Sequence, residues 1–208
     1  MRILVLTYEF PPVGGGGGRV AQDLCTALVA RGHQVKVITS HFKGLLHRES
    51  QNSLEITRVP CGRRMAYKAT LFDMLGYIVS GFFTGTRLLL RWKPEVIHVH
   101  FAVPSGPLAL LLSWFFKVPY VLTAHLGDVP GGVPEKTGKL FRMIYPFTPP
   151  IWKRAASVVA VSQFTRQLAL KHYPVAIEVI PNGVDLSALN PGEITVHQPP
   201  HIVFAGRF

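Results

Sequence analysis

From one end to the other, the sequence alternates short, nearly all-apolar runs of strand length with longer amphipathic segments. Arg2–Thr7 (RILVLT), Gln34–Thr39 (QVKVIT), Leu54–Pro60 (LEITRVP), Glu95–Val99 (EVIHV), Tyr120–Thr123, Ser157–Val161 (SVVAV), Ile177–Ile180 and Ile202–Ala205 read as strands. Helical patterns lie between them. Arg19–Arg31 carries Val20, Leu24, Ala27, Leu28 and Val29 at helical spacing and stops at Gly32. Tyr67–Trp92 stops before Pro94, Pro104–Phe116 opens on prolines, Lys139–Arg154 is broken by Pro146 and Pro149, and Ser162 caps a helix running to His172. Strands apolar on both faces need helices over each face. The pattern predicts an α/β fold: a doubly wound, mostly parallel, Rossmann-like sheet with ligands beyond the carboxyl ends of its strands.

Composition narrows the partners. Hydrophobic residues make up 48% and charged residues 16%, which suits a packed core and excludes a disordered chain. Lys and Arg number 22 against 11 Asp and Glu, a formal net charge of +11. Such an excess favours anionic partners (nucleic acid, an acidic membrane surface or phosphorylated ligands), or else an acidic counterpart in a missing partner. Leu71–Leu90 carries Asp73, Arg87 and three glycines, and Leu108–Phe116 is too short to span, so neither is expected to cross a bilayer. Met1–Thr7 lacks the apolar length of a signal peptide. Cys25 and Cys61 form no metal or CxxC spacing and read as a reduced, buried pair. A cytoplasmic location is expected.

The tract Gly14–Gly18 separates the first strand from the first helix. Glycines there let backbone approach a ligand and aim amides at an anion; the same tract also serves as a plain connecting turn. It is not a P-loop, because no GK[ST] follows, and Arg19 stands where the dinucleotide fingerprint needs its third glycine. Ser40-His41 stands after the second strand in place of an acidic residue, which argues against an oxidoreductase or Rossmann-type epimerase.

Read together, FPPVGGGGGRVAQDLCTALVARGHQVKVITS (Phe10–Ser40), PEVIHVH (Pro94–His100), VPYVLTAHLGD (Val118–Asp128), SVVAVSQFTRQLAL (Ser157–Leu170), VIPNGVD (Val179–Asp185) and IVFAGRF (Ile202–Phe208) resemble, in order, the landmarks of family-4 retaining glycosyltransferases of the GT-B fold. The resemblance implies an amino-terminal, acceptor-side half: a Rossmann-like domain over residues 1–190, a connector over 191–200, and in 201–208 the first strand of a truncated donor-binding domain. It implies an enzyme moving sugar from a nucleotide-sugar donor, such as a UDP- or GDP-sugar, to an acceptor hydroxyl with retained configuration, in cell-surface glycan or glycolipid synthesis. On that view no metal is required, no protein nucleophile is needed, and a fragment lacking the donor half is inactive.

The resemblance assigns roles by position. His125, just past the strand Tyr120–Thr123, is expected to point into the cleft near the transferred sugar and the acceptor, or else to be a structural histidine satisfied by loop backbone, and Arg207 matches the arginine that binds the donor diphosphate. Gly15, Gly16, Gly17 and Gly18 offer amides to substrate or phosphate. His100, near its strand end, is a further cleft candidate, or a structural histidine; His98 packs in the core or bonds a carbonyl. Asp128 and Glu135 read as solvated loop residues. Histidine and cysteine spacings give no metal cluster. Arg63, Arg64 and Lys68 precede a stretch rich in Leu, Ile and Phe, and Arg87, Arg91 and Lys93 close it. This segment fits either an amphipathic helix on the inner face of an anionic membrane, or a helix pair with a solvated basic end. A non-enzymatic basic domain that binds anionic membrane or phosphorylated ligands is the alternative to the enzyme.

Overall fold

The computed structural model describes residues 1–51, 53–66, 69–133 and 143–186. Among the described residues, eight strands form one sheet: β1 (Arg2–Thr7), β2 (Gln34–Ser40), β3 (Arg48–Gln51), β4 (Leu54–Val59), β5 (Val96–His100), β6 (Tyr120–Ala124), β7 (Ser157–Ala160) and β8 (Glu178–Val179). Their order is β3-β4-β2-β1-β5-β6-β7-β8, and every pairing is parallel except β3 with β4 at the edge. The helices are α1 (Gly16–Ala30), α2 (Leu71–Arg91), α3 (Ser105–Phe116), α4 (Pro149–Lys153) and α5 (Gln163–Leu170). This is the doubly wound, Rossmann-like sheet that the alternating pattern predicts. Glu135, the connector over 191–200, the strand expected at Ile202–Ala205 and Arg207 lie outside the described residues.

The sheet sorts its side chains by the two-residue period of a strand. Leu4, Leu6, Ile38, Ile97, Val99 and Leu122 fall into one buried cluster with Tyr77 and Leu89 of α2 and Leu108 and Leu112 of α3. Ile3, Val5, Val35 and Val37 take the other face, against Ala21 and Cys25 of α1. The two cysteines are free and buried, as expected.

Local chemistry sets the helix ends. Thr70 Oγ1 accepts from the Asp73 amide at 3.2 Å while Asp73 Oδ2 accepts from the Thr70 amide at 2.8 Å, a reciprocal capping box that starts α2. Ser162 Oγ accepts from the Thr165 amide and starts α5, as read from sequence. Gly32, at φ 81°, ends α1. α1 itself begins inside the glycine tract, at Gly16 and not at Arg19, because contacts described below hold those glycines in helical geometry.

Of the residues at helical spacing in α1, Leu28 and Val29 pack on the core, whereas Val20, Leu24 and Ala27 line a groove of about 1140 Å³ together with His98, Thr123, Val161 and the segment from Ile180 to Asp185. The residues α1 buries are Gly18, Ala21 and Cys25. The periodicity marks an apolar stripe wider than the strands beneath α1 can cover.

Among the described residues no helix is long and apolar enough to cross a membrane. α2 and α3 pack through glycines: a Cβ on Gly81 would meet Leu108 Cδ2 at 2.6 Å, and one on Gly85 would meet Leu112 Cδ1 at 2.5 Å. Leu108 and Leu112 are fully buried and have no space to swing away. Gly81→Leu should therefore lower the unfolding free energy by about 2 kcal/mol, overpacking outweighing the gain in helix propensity. Urea denaturation reads this, and a stability at or above wild type would contradict so close a helix contact.

Candidate functional site

Three strand ends make the site. Register places Thr7 of β1 beside His100 of β5, and His100 beside Thr123 of β6. The segments leaving these strands meet at the carboxyl edge, where an open α/β sheet holds its ligands.

The first wall is the turn after β1. Thr7 Oγ1 donates to the Glu9 carbonyl at 2.8 Å, and Ser40 Oγ donates to the Tyr8 carbonyl at 2.7 Å. Arg58, buried, donates through Nη2 to the Pro11 carbonyl at 2.8 Å and pairs through Nε with Glu49 at 2.9 Å, which ties the Pro-Pro turn to the sheet edge. Glu9 then folds back, its Oε2 accepting from the Gly15 amide at 3.0 Å. The amides of Gly18 and Arg19 both donate to the Gly15 carbonyl. Of the glycines assigned to substrate or phosphate, Gly15 and Gly18 thus have their amides engaged internally. Gly16 and Gly17 supply the first-turn amides that lack an intrahelical acceptor.

The second wall follows β5. Phe101 has φ 71°, in the left-handed region that non-glycine residues seldom occupy, and its amide donates to the Thr123 carbonyl. This turn sends the Phe101 ring against Gly17, where any Cβ would land on the ring. A side chain there would have to displace the ring, so the tract is a contact surface as well as a turn. The same ring lies 4.4 Å, centroid to centroid, from His125.

The third wall follows β6. His125 is 7% exposed, and its Nε2 lies 3.2 Å from Nδ1 of His100, itself 1% exposed, one nitrogen donating and the other accepting. The sequence assignments His100 and His125 therefore meet in one hydrogen-bonded pair. His98 stands beside them, its ring 4.5 Å from that of His100. Its Nε2 bonds the Thr123 hydroxyl at 2.8 Å and it faces the groove, in place of the core or carbonyl contact expected. Nε2 of His100 is buried without a hydrogen-bond partner among the described residues.

Asp128 is corrected. Expected as a solvated loop residue, it is 3% exposed, and its Oδ2 accepts from the Ala102 amide at 2.5 Å, binding the turn after β6 to the turn after β5. Glu9, Phe101 and Asp128 thus hold the site together. Only the acidic character of Glu9 and Asp128 beside the turns signalled them, and nothing in the local sequence marks Phe101. Arg63, grouped by sequence with a basic membrane segment, is 6% exposed; it donates to Ser40 Oγ, Met65 O and Ala66 O and lies over the Tyr8 ring at 4.8 Å.

Burial pushes the His98 imidazole down to about 4, helped by the neighbouring His125, and burial alone pushes His125 down to about 4. His100 falls well below its ordinary value through burial and then through His98 and His125. All three are neutral at pH 7. Such imidazoles are weak bases, suited to directing a hydrogen bond to a hydroxyl and poorly suited to removing its proton. Among the described residues, no three His, Cys, Asp or Glu side chains are grouped to hold a metal ion.

The sequence profile of a family described as Glycosyltransferase Family 4 matches residues 14–188. A glycogen synthase of Mycobacterium tuberculosis is 29% identical over 202 residues, covering 89% of this chain and 49% of that protein. An alpha-monoglucosyldiacylglycerol synthase of Streptococcus pneumoniae is 25% identical over 202 residues, covering 93% of this chain and 43% of its own. The chain spans about half the length, or less, of these relatives. Among solved structures, a sucrose-phosphate synthase from Thermosynechococcus elongatus superposes with a TM-score of 0.70 at 16% identity, covering 89% of this chain and 49% of that one.

Because the imidazoles bind protons more weakly folded than unfolded, stability is full above their unfolded value near 6.5 and falls as pH drops toward 4. Urea unfolding should show a loss of about 2 kcal/mol for each of His98 and His125 between pH 7 and pH 5. A flat profile over that range would mean that these rings charge without cost in the fold.

Proposed function

The chain belongs to glycosyltransferase family 4, and from that premise we propose that residues 1–190 form the acceptor-binding half of an enzyme that transfers sugar from a nucleotide-sugar donor to an acceptor hydroxyl. The observation carrying this reading is the junction of Gly17, Phe101 and His125, where a helix start with two free-facing amides and a neutral imidazole converge at the carboxyl edge. That edge offers uncharged donors and acceptors for sugar hydroxyls, and partial positive charge for an anion.

Transfer is proposed to retain configuration. The acceptor oxygen bonds to the anomeric carbon as the bond from that carbon to the diphosphate oxygen breaks, and the acceptor proton passes to a leaving-phosphate oxygen on the same face. Support comes from the carboxylates nearest the junction: Glu9 and Asp128 each bond a backbone amide, so neither is presented as a covalent nucleophile. The depressed histidines are too weakly basic to compete for the proton. Charge on the leaving diphosphate falls to the helix start and to Arg207, without a protein-bound metal. The donor is proposed to be a UDP- or GDP-sugar bound largely by a second lobe. These 208 residues alone are expected to turn over no donor.

The acceptor is proposed to be a cell-surface glycan or a glycolipid; the relatives named above include a glycogen synthase and an alpha-monoglucosyldiacylglycerol synthase, which supports a glycan or a glycolipid in general terms. The proposed location is cytoplasmic, peripheral at the inner face of the membrane.

A transfer assay of the full-length protein over a panel of nucleotide sugars tests the reading. Activity with one donor is expected, and His125→Ala should lower kcat by about 10²-fold or more with the circular dichroism spectrum unchanged. Absence of transfer with every donor, or a fully active His125→Ala, would overturn it.

A further inference from the structure

We propose that His100 is a positioning residue: its Nδ1 holds His125 in the tautomer that carries the proton on Nδ1, so that His125 meets the substrate as a hydrogen-bond donor. The place of that donor against a sugar hydroxyl rests on the transfer reading above; the tautomer itself does not.

Strand register isolates His100. Its neighbours across the sheet are Thr7 of β1 and Thr123 of β6, and side chains in register point to one face. Both hydroxyls are engaged elsewhere. Thr7 Oγ1 donates to the Glu9 carbonyl at 2.8 Å, and Thr123 Oγ1 bonds Nε2 of His98 at 2.8 Å. Among the described residues His100 is left with one polar side-chain partner, Nε2 of His125 at 3.2 Å, which its Nδ1 meets. Its own Nε2 is buried with no partner.

That orphan nitrogen decides where the protons lie. Burial keeps the rings neutral at pH 7, so each carries one N–H. If His125 donated from Nε2, His100 would carry its proton on Nε2, and a buried N–H would face nothing that accepts it. Buried N–H groups without an acceptor are rarer in folded proteins than acceptors short of a donor. In the other arrangement His100 donates from Nδ1, and its Nε2 is a bare lone pair. His125 Nε2 then accepts, and the His125 proton goes to Nδ1. Nδ1 of His125 has no hydrogen bond among the described residues and is not enclosed as Nε2 of His100 is, so its proton is open to a ligand. Both rings thus hold the tautomer that imidazole in water favours less. The fold selects it, through a residue that need not touch substrate.

The test is nitrogen NMR of the histidine rings in the full-length protein, isotopically labelled in histidine, at pH 7 and without donor. His125→Ala and His100→Asn assign the signals. Expected for both His100 and His125 is a pyrrole-like Nδ1 and a pyridine-like Nε2. His100→Leu removes the donor, so His125 should return to the Nε2–H form and kcat should fall about tenfold, as for the loss of one hydrogen bond. His100→Asn sets its carboxamide nitrogen where Nδ1 stood, and should recover the His125 signature and most of that loss. His100→Gln, whose amide reaches the place of Nε2, should behave as His100→Leu does. Circular dichroism checks the fold of each variant, and if His100→Leu does not fold, the wild-type and His100→Asn spectra decide. A pyridine-like Nδ1 on His125 in the wild type, a fully active His100→Leu, or a His100→Asn no better than His100→Gln would each overturn the proposal. Failure of every nucleotide sugar to react would tell against the transfer reading and leave the ring signals unaffected.

Discussion

The parallel pairing of β1, β5 and β6 is the constraint on which the rest of the structure depends. Its register sets Thr7, His100 and Thr123 in one row across the sheet. Side chains alternate between faces, so a slip of one residue in β5 would move His98 and His100 into the apolar cluster under α2 and α3, and carry Ile97 and Val99 out of it. The apolar majority of each strand thus fixes where its few polar residues stand. Once the strands are locked, the turns leaving them converge without further choice: Glu9 folds onto Gly15, Phe101 onto Gly17, and Asp128 onto Ala102.

The electrostatics divide along the same sheet. At the carboxyl edge the imidazoles are neutral and the nearby carboxylates are held by backbone amides. The chain's net charge of +11 is expressed elsewhere, in part around the exposed rings of α2 and α3.

Much of this was legible in the sequence, for identifiable reasons. Strands such as RILVLT and SVVAV are read correctly because burial on both faces leaves little room for polar residues. Ser162 and Gly32 mark helix ends because capping is local chemistry. β3, with the sequence RESQ, was missed because an edge strand paired on one side needs no apolar run. The start of α1 was placed three residues late, because glycine's low helix propensity is overridden by the contacts of Gly17 and Gly18 with Phe101 and Glu9. His100 and His125 were singled out as separate candidates; their pairing depends on strand order, which no local pattern encodes. Asp128 reads as solvated from sequence because its backbone partner lies 26 positions away.

A crystal structure of the full-length protein with a bound nucleotide sugar tests the central claim most directly. The account predicts the sugar ring at the carboxyl edge of β1, β5 and β6, against His125, with the diphosphate turned to the start of α1 at Gly16 and Gly17. Donor density confined to the groove between α1 and β5–β7, or at the opposite edge of the sheet, would contradict it.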